Sequence, residues 1–400
     1  MAKNSNGFAD APLAPAYNFD ERIDRLNSGS AKWNYYKDVI PMWMADMDFK
    51  SPPAIAQALH ARIDHGVFGY EFPSAAPTQA VVTWLDKRYG WKVQADDIMM
   101  LPALVSGMAL VSKALGHIGE HAITFTPIYH PFLSVPANQG VHVTEVQLKP
   151  IMRGNYMDYE IDFDAFERAI TPRTSLFLHC HPHNPAGREF TVEENRRIAE
   201  ICLKHNLTVV TDEIWADLTL EGTDHVPFAA LSEEIGLNTV TLMAPSKTFN
   251  VPSLGFGFAV IQNPKLRQRI MNTREGLIPY NNLLGMVAAE AAYTECDSWL
   301  AALKSYLTEN RNVALDYIAE NMPDIRATQP NATYLMWLDC KAAGIEGNAQ
   351  QFFIDKAKVA LSDGEQFGAG GEGYVRMNFG CPRAQLLEAL DQMRAALRAQ

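Results

Sequence analysis

Cysteine is scarce and scattered: five in 400 residues, an odd number, with no CxxC pair among them. That argues against a disulfide framework and against a zinc site, and fits a reducing, cytoplasmic compartment. No uninterrupted apolar run approaches the roughly 18 residues that a membrane span needs. The opening Met1-Ala-Lys-Asn-Ser-Asn-Gly7 lacks the apolar stretch of a secretory signal. Long basic runs are missing too, and the net charge is −12, so neither nucleic acid nor an anionic membrane is an expected partner. There is no repeat of about 20–50 residues and no low-complexity linker. What remains is an ordinary globular balance, 48% hydrophobic and 20% charged, in a chain long enough for one large domain and a smaller one.

The middle of the chain alternates two textures. Ala122-Ile-Thr-Phe-Thr126, Ser175-Leu-Phe-Leu-His-Cys180, Leu207-Thr-Val-Val-Thr211, Asn238-Thr-Val-Thr-Leu242 and Gly255-Phe-Gly-Phe-Ala-Val-Ile261 are short apolar or β-branched runs. Apolarity without in/out alternation predicts strands covered on both faces, as in a parallel sheet. Helical patterns fall between them. Thr191 with Glu194 is a capping box opening a helix from Val192 to about Asn206, with Ile198, Ile201 and Cys202 on one face. From about Asp297 the texture changes to long helices, Trp299 to Glu320 and Pro382 to Gln400, interrupted by strand-like pieces at Thr333–Leu338 and Tyr374–Asn378. The expected fold class is α/β, with a large domain over 61–296 and a smaller α+β domain over 297–400 that the N-terminal segment 1–60 joins.

In an open α/β sheet, ligands sit beyond the carboxyl ends of the strands. Four predicted strand ends carry complementary polar groups: Tyr129 after the first, Asn184 in His181-Pro-His-Asn-Pro-Ala-Gly187, Asp212 in Asp212-Glu-Ile-Trp215, and Lys247 in Ala244-Pro-Ser-Lys247. A lysine in an apolar strand-end loop is partly desolvated, which lowers its pKa and frees the amine as a nucleophile. Each residue alone has a plain alternative: a surface lysine, a helix-capping Asp, an Asn-Pro turn, a core tyrosine. Their order in one fold is what gives them weight.

Asn184-Pro-x-Gly187, Asp212-Glu-Ile214 and Ser246-Lys247, in this order, resemble the fold-type I pyridoxal-phosphate enzymes of the aspartate aminotransferase superfamily. Lys32-Trp33, Met42-Trp-Met-Ala-Asp-Met-Asp-Phe49, Phe68-Gly-Tyr70, Pro182-His-Asn-Pro185, Ser246-Lys-Thr-Phe-Asn250 and Arg376-Met-Asn378 are similar to the cystathionine β-lyase-like C–S lyases of the MalY/PatB type. The likeness runs from about residue 28 to about 390. It implies a mostly parallel seven-stranded sheet flanked by helices, and pyridoxal 5'-phosphate as cofactor.

The resemblance also implies roles. Lys247 would hold the cofactor as a Schiff base and then remove the substrate Cα proton. Asp212 would pair with the pyridine nitrogen, Asn184 with the phenolic oxygen, and Tyr129 and Ile214 would sandwich the ring. Trp215 would lie beside it. Ala103 and Leu104, opening a helix from Val105 to Leu115, would hold the phosphate with Ser246. Arg376 would clamp the carboxylate of an amino-acid substrate, assisted by the Ala45 amide and Asn184. Tyr70 matches a residue donated by the neighbouring subunit, which implies a homodimer. His179, His181 and His183 alternate like metal ligands, but the family pattern favours a structural loop and no metal. Met42, Met44, Met47, Met99 and Met100 read as packing, and Trp33 and Trp43 either line the substrate entrance or anchor the N-terminal segment.

The expected reaction is β-elimination on cystathionine or a related cysteine S-conjugate, with an aminotransferase as the alternative and a ligand-sensing role as a third. Gly255 stands where many fold-type I transaminases carry a phosphate-binding arginine, which leans toward the lyase branch. Trp215, Ala103-Leu104, Ser253 and Asn34 depart from the branch pattern, where His, Gly-Val, Gly and Asp are usual.

Overall fold

The computed structural model describes residues 17–70 and 75–400, so the reading of the chain's first residues lies outside it. Val, Ile, Leu and Thr dominate the central strands because branched side chains pack well on a pleated surface covered on both sides. In chain order these are β1 (Ile98–Leu101), β2 (His121–Thr126), β3 (His142–Gln147), β4 (Thr174–Cys180), β5 (Thr208–Asp212), β6 (Thr239–Met243) and β7 (Gly257–Val260). They form one sheet in the order β1-β7-β6-β5-β4-β2-β3. Pairing is parallel from β6 through β5, β4 and β2 to β3. β7 runs antiparallel to both its neighbours, a feature that its continuous apolarity does not reveal.

Two strands differ from what the sequence predicts. β1 is the Met99-Met100 run, which reads only as packing. β3 is an edge strand with mostly unburied side chains, so it lacks the apolar signature of its neighbours.

The helices that position the site are α1 (Pro53–His65), α2 (Leu104–Leu115), α3 (Val192–Lys204), α4 (Pro245–Thr248), α5 (Leu283–Glu295), α6 (Asp297–Asn321) and α7 (Arg383–Arg398). At α3 the capping box closes both ways: Glu194 N donates to Thr191 Oγ1 at 3.1 Å, and Thr191 N donates to Glu194 Oε2 at 2.8 Å. Asn206, at φ +56°, turns the chain out of the helix toward β5. α6 buries Trp299, Leu303, Leu307, Ala314 and Ile318 along one stripe, each large side chain contributing about 2 kcal/mol of apolar burial.

A second sheet joins β8 (Arg326–Ala327), β9 (Leu335–Asp339), β10 (Ser362–Asp363) and β11 (Tyr374–Asn378) in the antiparallel order β8-β9-β11-β10. The N-terminal segment meets it directly. Ile40–Pro41 pairs in parallel with Val359–Ala360, and Asn378 N donates to Met42 O at 2.8 Å. The boundary expected near residue 60 falls inside α1, which packs on α5.

Candidate active site

Four parallel strands of the large sheet, β2, β4, β5 and β6, each lead at their carboxyl ends into one of the polar groups. β5 ends in Asp212 itself, and β6 runs into α4, whose single turn carries Ser246 and Lys247. The loop after β4 presents Asn184, and its turn needs Gly187: φ is +68°, and a Cβ there would lie 2.6 Å from Pro330 Cβ and 2.8 Å from Leu335 O. The loop after β2 presents Tyr129, whose backbone N–H donates to Asn184 O at 3.1 Å. With Arg376 from β11 and the Trp43–Ala45 segment, these residues enclose a cavity of about 400 Å³. Ala103, Leu104, Ile214, Trp215 and Ser246 line it as well. A larger groove of about 960 Å³, lined by Tyr159, Lys341 and Tyr374, contains none of these groups.

The electrostatics are unusual for so small a volume. Asp212 is buried and accepts one backbone hydrogen bond, from Ile214 N at 3.1 Å. Burial pushes its carboxyl up to about 7, against the pull of the Ile214 N–H and Lys247. Burial draws the Lys247 amine down to about 8, and the nearby Arg376 adds to this. Arg376 is itself buried, and the loss of solvation brings its guanidinium down to about 10. Among the described residues it makes no ion pair. Nη1 donates to Asn184 Oδ1 at 2.9 Å, Nη2 donates to Trp43 O at 2.9 Å and Ser362 Oγ at 3.1 Å, and Nε is buried without a partner. One cavity therefore holds a carboxyl without a cation in contact and a guanidinium without an anion.

Three sequence motifs meet at the segment opposite Lys247. Lys247 Nζ donates to Ala45 O at 2.6 Å, and Tyr334 Oη donates to the same oxygen at 3.0 Å. Asn250, three residues beyond Lys247, accepts from Met47 N at 2.9 Å and donates to Met47 O at 2.9 Å and Phe49 O at 2.8 Å. Asn378, two residues beyond Arg376, donates to Met44 O at 2.6 Å and Asp46 O at 2.7 Å. The far end is fixed by Asp48, which accepts from fully buried Lys32 at 2.8 Å, Arg25 at 2.6 Å and Trp33 Nε1 at 2.8 Å. Trp33 is thus an anchor, whereas Trp43 lines the cavity.

The Ala103-Leu104 turn needs no left-handed residue: Ala103 is extended at φ −164°, and Leu104 opens α2. The first backbone N–H groups of that helix have no intrahelical partner and no side-chain cap. Trp215 is buried edge-on against Tyr334 at 4.8 Å between ring centroids, with Lys247 Nζ 5.6 Å from its own ring centre. Tyr70 does not line the cavity and is fully exposed.

The alternating histidines do not form a three-histidine set. His183 Nε2 contacts Pro127 O at 2.8 Å and His179 Nε2 contacts Asn195 Oδ1 at 3.0 Å, while His181 lies near Glu189 and His225. Sequence reasoning missed His130, Ser362, Gln366 and Phe367 in the cavity wall. His130 was reachable as the neighbour of Tyr129; the others come from a single 3-10 turn, Gly364–Phe367, and a two-residue strand without a motif.

Sheet, strand-end polar groups and an arginine from a second sheet define a class of α/β enzymes in which a buried carboxyl, a lysine and an arginine share one cavity. The chain belongs to the family Aminotransferase class I and II, which matches residues 37–393. It is 38% identical to cystathionine beta-lyase PatB of Bacillus subtilis, over 95% of this chain and all of that protein. Cystalysin from Treponema denticola, solved with pyridoxal 5'-phosphate, superposes with a TM-score of 0.91 at 32% identity over 96% of this chain and 99% of that one. The PLP-bound C–S lyase from Staphylococcus hominis gives 0.90 at 31% identity, also over 96% and 99%.

Proposed function

We propose that the protein is a pyridoxal-phosphate-dependent C–S β-lyase that converts cystathionine, or a related cysteine S-conjugate, to a thiol, pyruvate and ammonia. The observation that carries this reading is one cavity that holds the Lys247 amine with a buried carboxyl, Asp212, and a buried guanidinium, Arg376, neither of which has an ion-pair partner among the described residues. The residues fit the cofactor. A carboxyl buried with one backbone donor calls for a cationic N–H, as a protonated pyridine nitrogen offers. The uncapped start of α2 and Ser246 suit a phosphate. With Oδ1 of Asn184 engaged by Arg376, its amide remains as a donor for a phenolic oxygen. Tyr129 and Ile214 would contact the ring faces, with Trp215 beside them. When bound, pyridoxal phosphate supplies a carbonyl carbon for amines and an electron sink for charge developing at Cα.

The chain's own residues do the rest. Arg376 would hold the substrate carboxylate through paired N–H donors, helped by Asn184 and the Ala45 amide. That grip orients the Cα–H bond toward the Lys247 amine, which low local polarity keeps available as a base near neutral pH. Lys247 takes the Cα proton, the Cβ–S bond breaks with its electron pair going to sulfur, and the departing thiolate is protonated. Water then hydrolyses the released unsaturated amino acid to pyruvate and ammonia.

The lyase names of relatives that align along nearly the whole chain support this outcome over transamination. So does Gly255, at φ +64°, which offers no side chain where many transaminases place a phosphate-binding arginine. Incubation with cystathionine, without any oxo acid, should yield pyruvate and a free thiol. Accumulation of pyridoxamine phosphate without pyruvate would sink the lyase reading. We also infer a homodimer in which Tyr70 serves the neighbouring site, since Tyr70 is fully exposed and Val67 and Phe68 beside it are exposed too. Five buried, unpaired cysteines support a cytoplasmic location, and no helix among the described residues is long and apolar enough to cross a membrane. The division into 1–60, 61–296 and 297–400 would place Lys247, Asp212 and Asn184 on one domain and Arg376 on the other.

A further inference from the structure

Glu213, which follows Asp212, is fully buried and does not line the cavity. Its Oε2 lies 2.8 Å from His225 Nε2, and the other ring nitrogen, Nδ1, lies 2.8 Å from Glu189 Oε1. The chain of contacts continues from Glu189 Oε1 to His181 Nε2 at 3.2 Å, then to Asn195 Nδ2 at 3.1 Å. Asn195 Oδ1 ends it on His179 Nε2 at 3.0 Å. Glu213 Oε1 accepts from Phe228 N at 3.0 Å and Thr211 Oγ1 at 3.2 Å, and His181 N donates to Asp212 O at 3.0 Å. Every member is buried.

Ionised carboxylates only accept, so an imidazole with a carboxylate oxygen on each nitrogen must carry both protons. Burial alone would discharge His225, but Glu189 and Glu213 outweigh it and hold its pKa at about 10. The titratable groups facing it are those two glutamates, His181, His179 and Tyr89, whose ring is 5.6 Å away. Burial keeps His179 down at about 3 and His181 well below its ordinary value, so both are neutral. Ligand atoms of His181, Glu189 and His225 lie within 4.8 Å of one another. A shared metal ion would nevertheless hold its ligands about 3.3 Å apart at ~2.0 Å bonds, and the 2.8 Å between His225 and Glu189 is hydrogen-bond length. That spacing fits a shared proton and not a shared ion.

We propose that His225, clamped as a cation between Glu213 and Glu189, is a positioning residue for Asp212. It cancels one of the two negative charges next to the end of β5 and fixes that strand end. Asp212 therefore meets the cofactor's pyridine nitrogen in a set geometry and a set field. The inference rests on Asp212 as the cofactor's partner.

The test is His225→Gln in the holoenzyme, read by the pH midpoint of the bound cofactor's visible absorption. Uncompensated glutamates stabilise the protonated, more positive form, so the midpoint should rise by about one pH unit, a tenfold change in proton affinity. Adding Glu213→Gln removes the surplus charge and should return the midpoint most of the way to wild type. A midpoint unchanged in the single variant, or no recovery in the double, would overturn the proposal. So would a stoichiometric metal in the purified protein. Should His225→Gln fail to fold, ¹⁵N spectra of histidine-labelled wild-type holoenzyme decide. A histidine with both ring nitrogens protonated at pH 8 is expected, and its absence is fatal. If the wild type took up no pyridoxal phosphate, the proposed function would fail instead, while the ¹⁵N spectra would still report the charge of His225.

Discussion

Asp212→Asn is expected to stabilise the protein without cofactor and to cripple it with cofactor. The carboxyl is held up at about 7, against 3.8 for an unperturbed aspartate, chiefly by burial. The folded state therefore binds this proton more tightly than the unfolded chain does. Stability from this group is fully present below 3.8 and is lost progressively as pH rises to about 7. About three pH units at about 1.4 kcal/mol each make the full deficit about 4 kcal/mol. Asparagine has the same shape, keeps an acceptor for Ile214 N, and carries no charge to bury. In urea unfolding followed by tryptophan fluorescence, the cofactor-free variant should therefore gain on wild type by about 2–3 kcal/mol between about pH 5 and about pH 8. The cofactor should reverse the order, because the pyridine nitrogen loses its anionic partner; cystathionine turnover should fall about 100-fold or more. A stability difference that does not change with pH, or a cofactor-free variant less stable than wild type at pH 8, would refute the reasoning.

Arg376→Lys keeps the charge but loses the planar fork, and about 1.5–3 kcal/mol per lost charge-assisted bond should raise KM for cystathionine roughly 10- to 100-fold in steady-state assays. Asn250 sits at φ +57° and makes three hydrogen bonds to the Met47–Phe49 backbone. Asn250→Gly should cost about 2–3 kcal/mol in denaturant unfolding, and Asn250→Ala about 1 kcal/mol more, the difference being the left-handed backbone. Because the Lys247 amine titrates near about 8, the rate at which the cofactor-free protein takes up pyridoxal phosphate should climb as pH rises through that value. Lys247→Ala should abolish borohydride fixation of the cofactor.

The parts of the site legible in the sequence share one property: each sits on a short, punctuated motif immediately after an apolar run. Asn184, Asp212 and Lys247 are of this kind, and the parallel topology brings such ends together without further information. Ser362 shows the opposite case. It reaches the cavity because Ser362 pairs with Arg376 in register, and a two-residue strand leaves no periodic trace. The direction of β7 was equally hidden, since a strand buried on both faces reads the same either way. Trp33 and Trp43 were indistinguishable as residues, and a single indole hydrogen bond to Asp48 assigns the first to the scaffold.

The Trp43–Met47 segment explains why motifs so far apart in sequence act together. Trp43 O receives the Arg376 guanidinium and Ala45 O receives the Lys247 amine, so one short stretch sets the spacing between the proposed carboxylate clamp and the proposed base. The residues that hold it, Asn250 and Asn378, follow those same two functional groups by a few positions. Burial meanwhile shifts Asp212, Lys247 and Arg376 each toward its uncharged form, an electrostatic cost built into the folded protein. In the proposed function, a cationic ring nitrogen and a substrate carboxylate would relieve that cost. On the proposed function, affinity for cofactor and substrate would arise from the same desolvation that would make Lys247 a base, and a change that stabilises the protein without cofactor, as Asp212→Asn should, would weaken its complex.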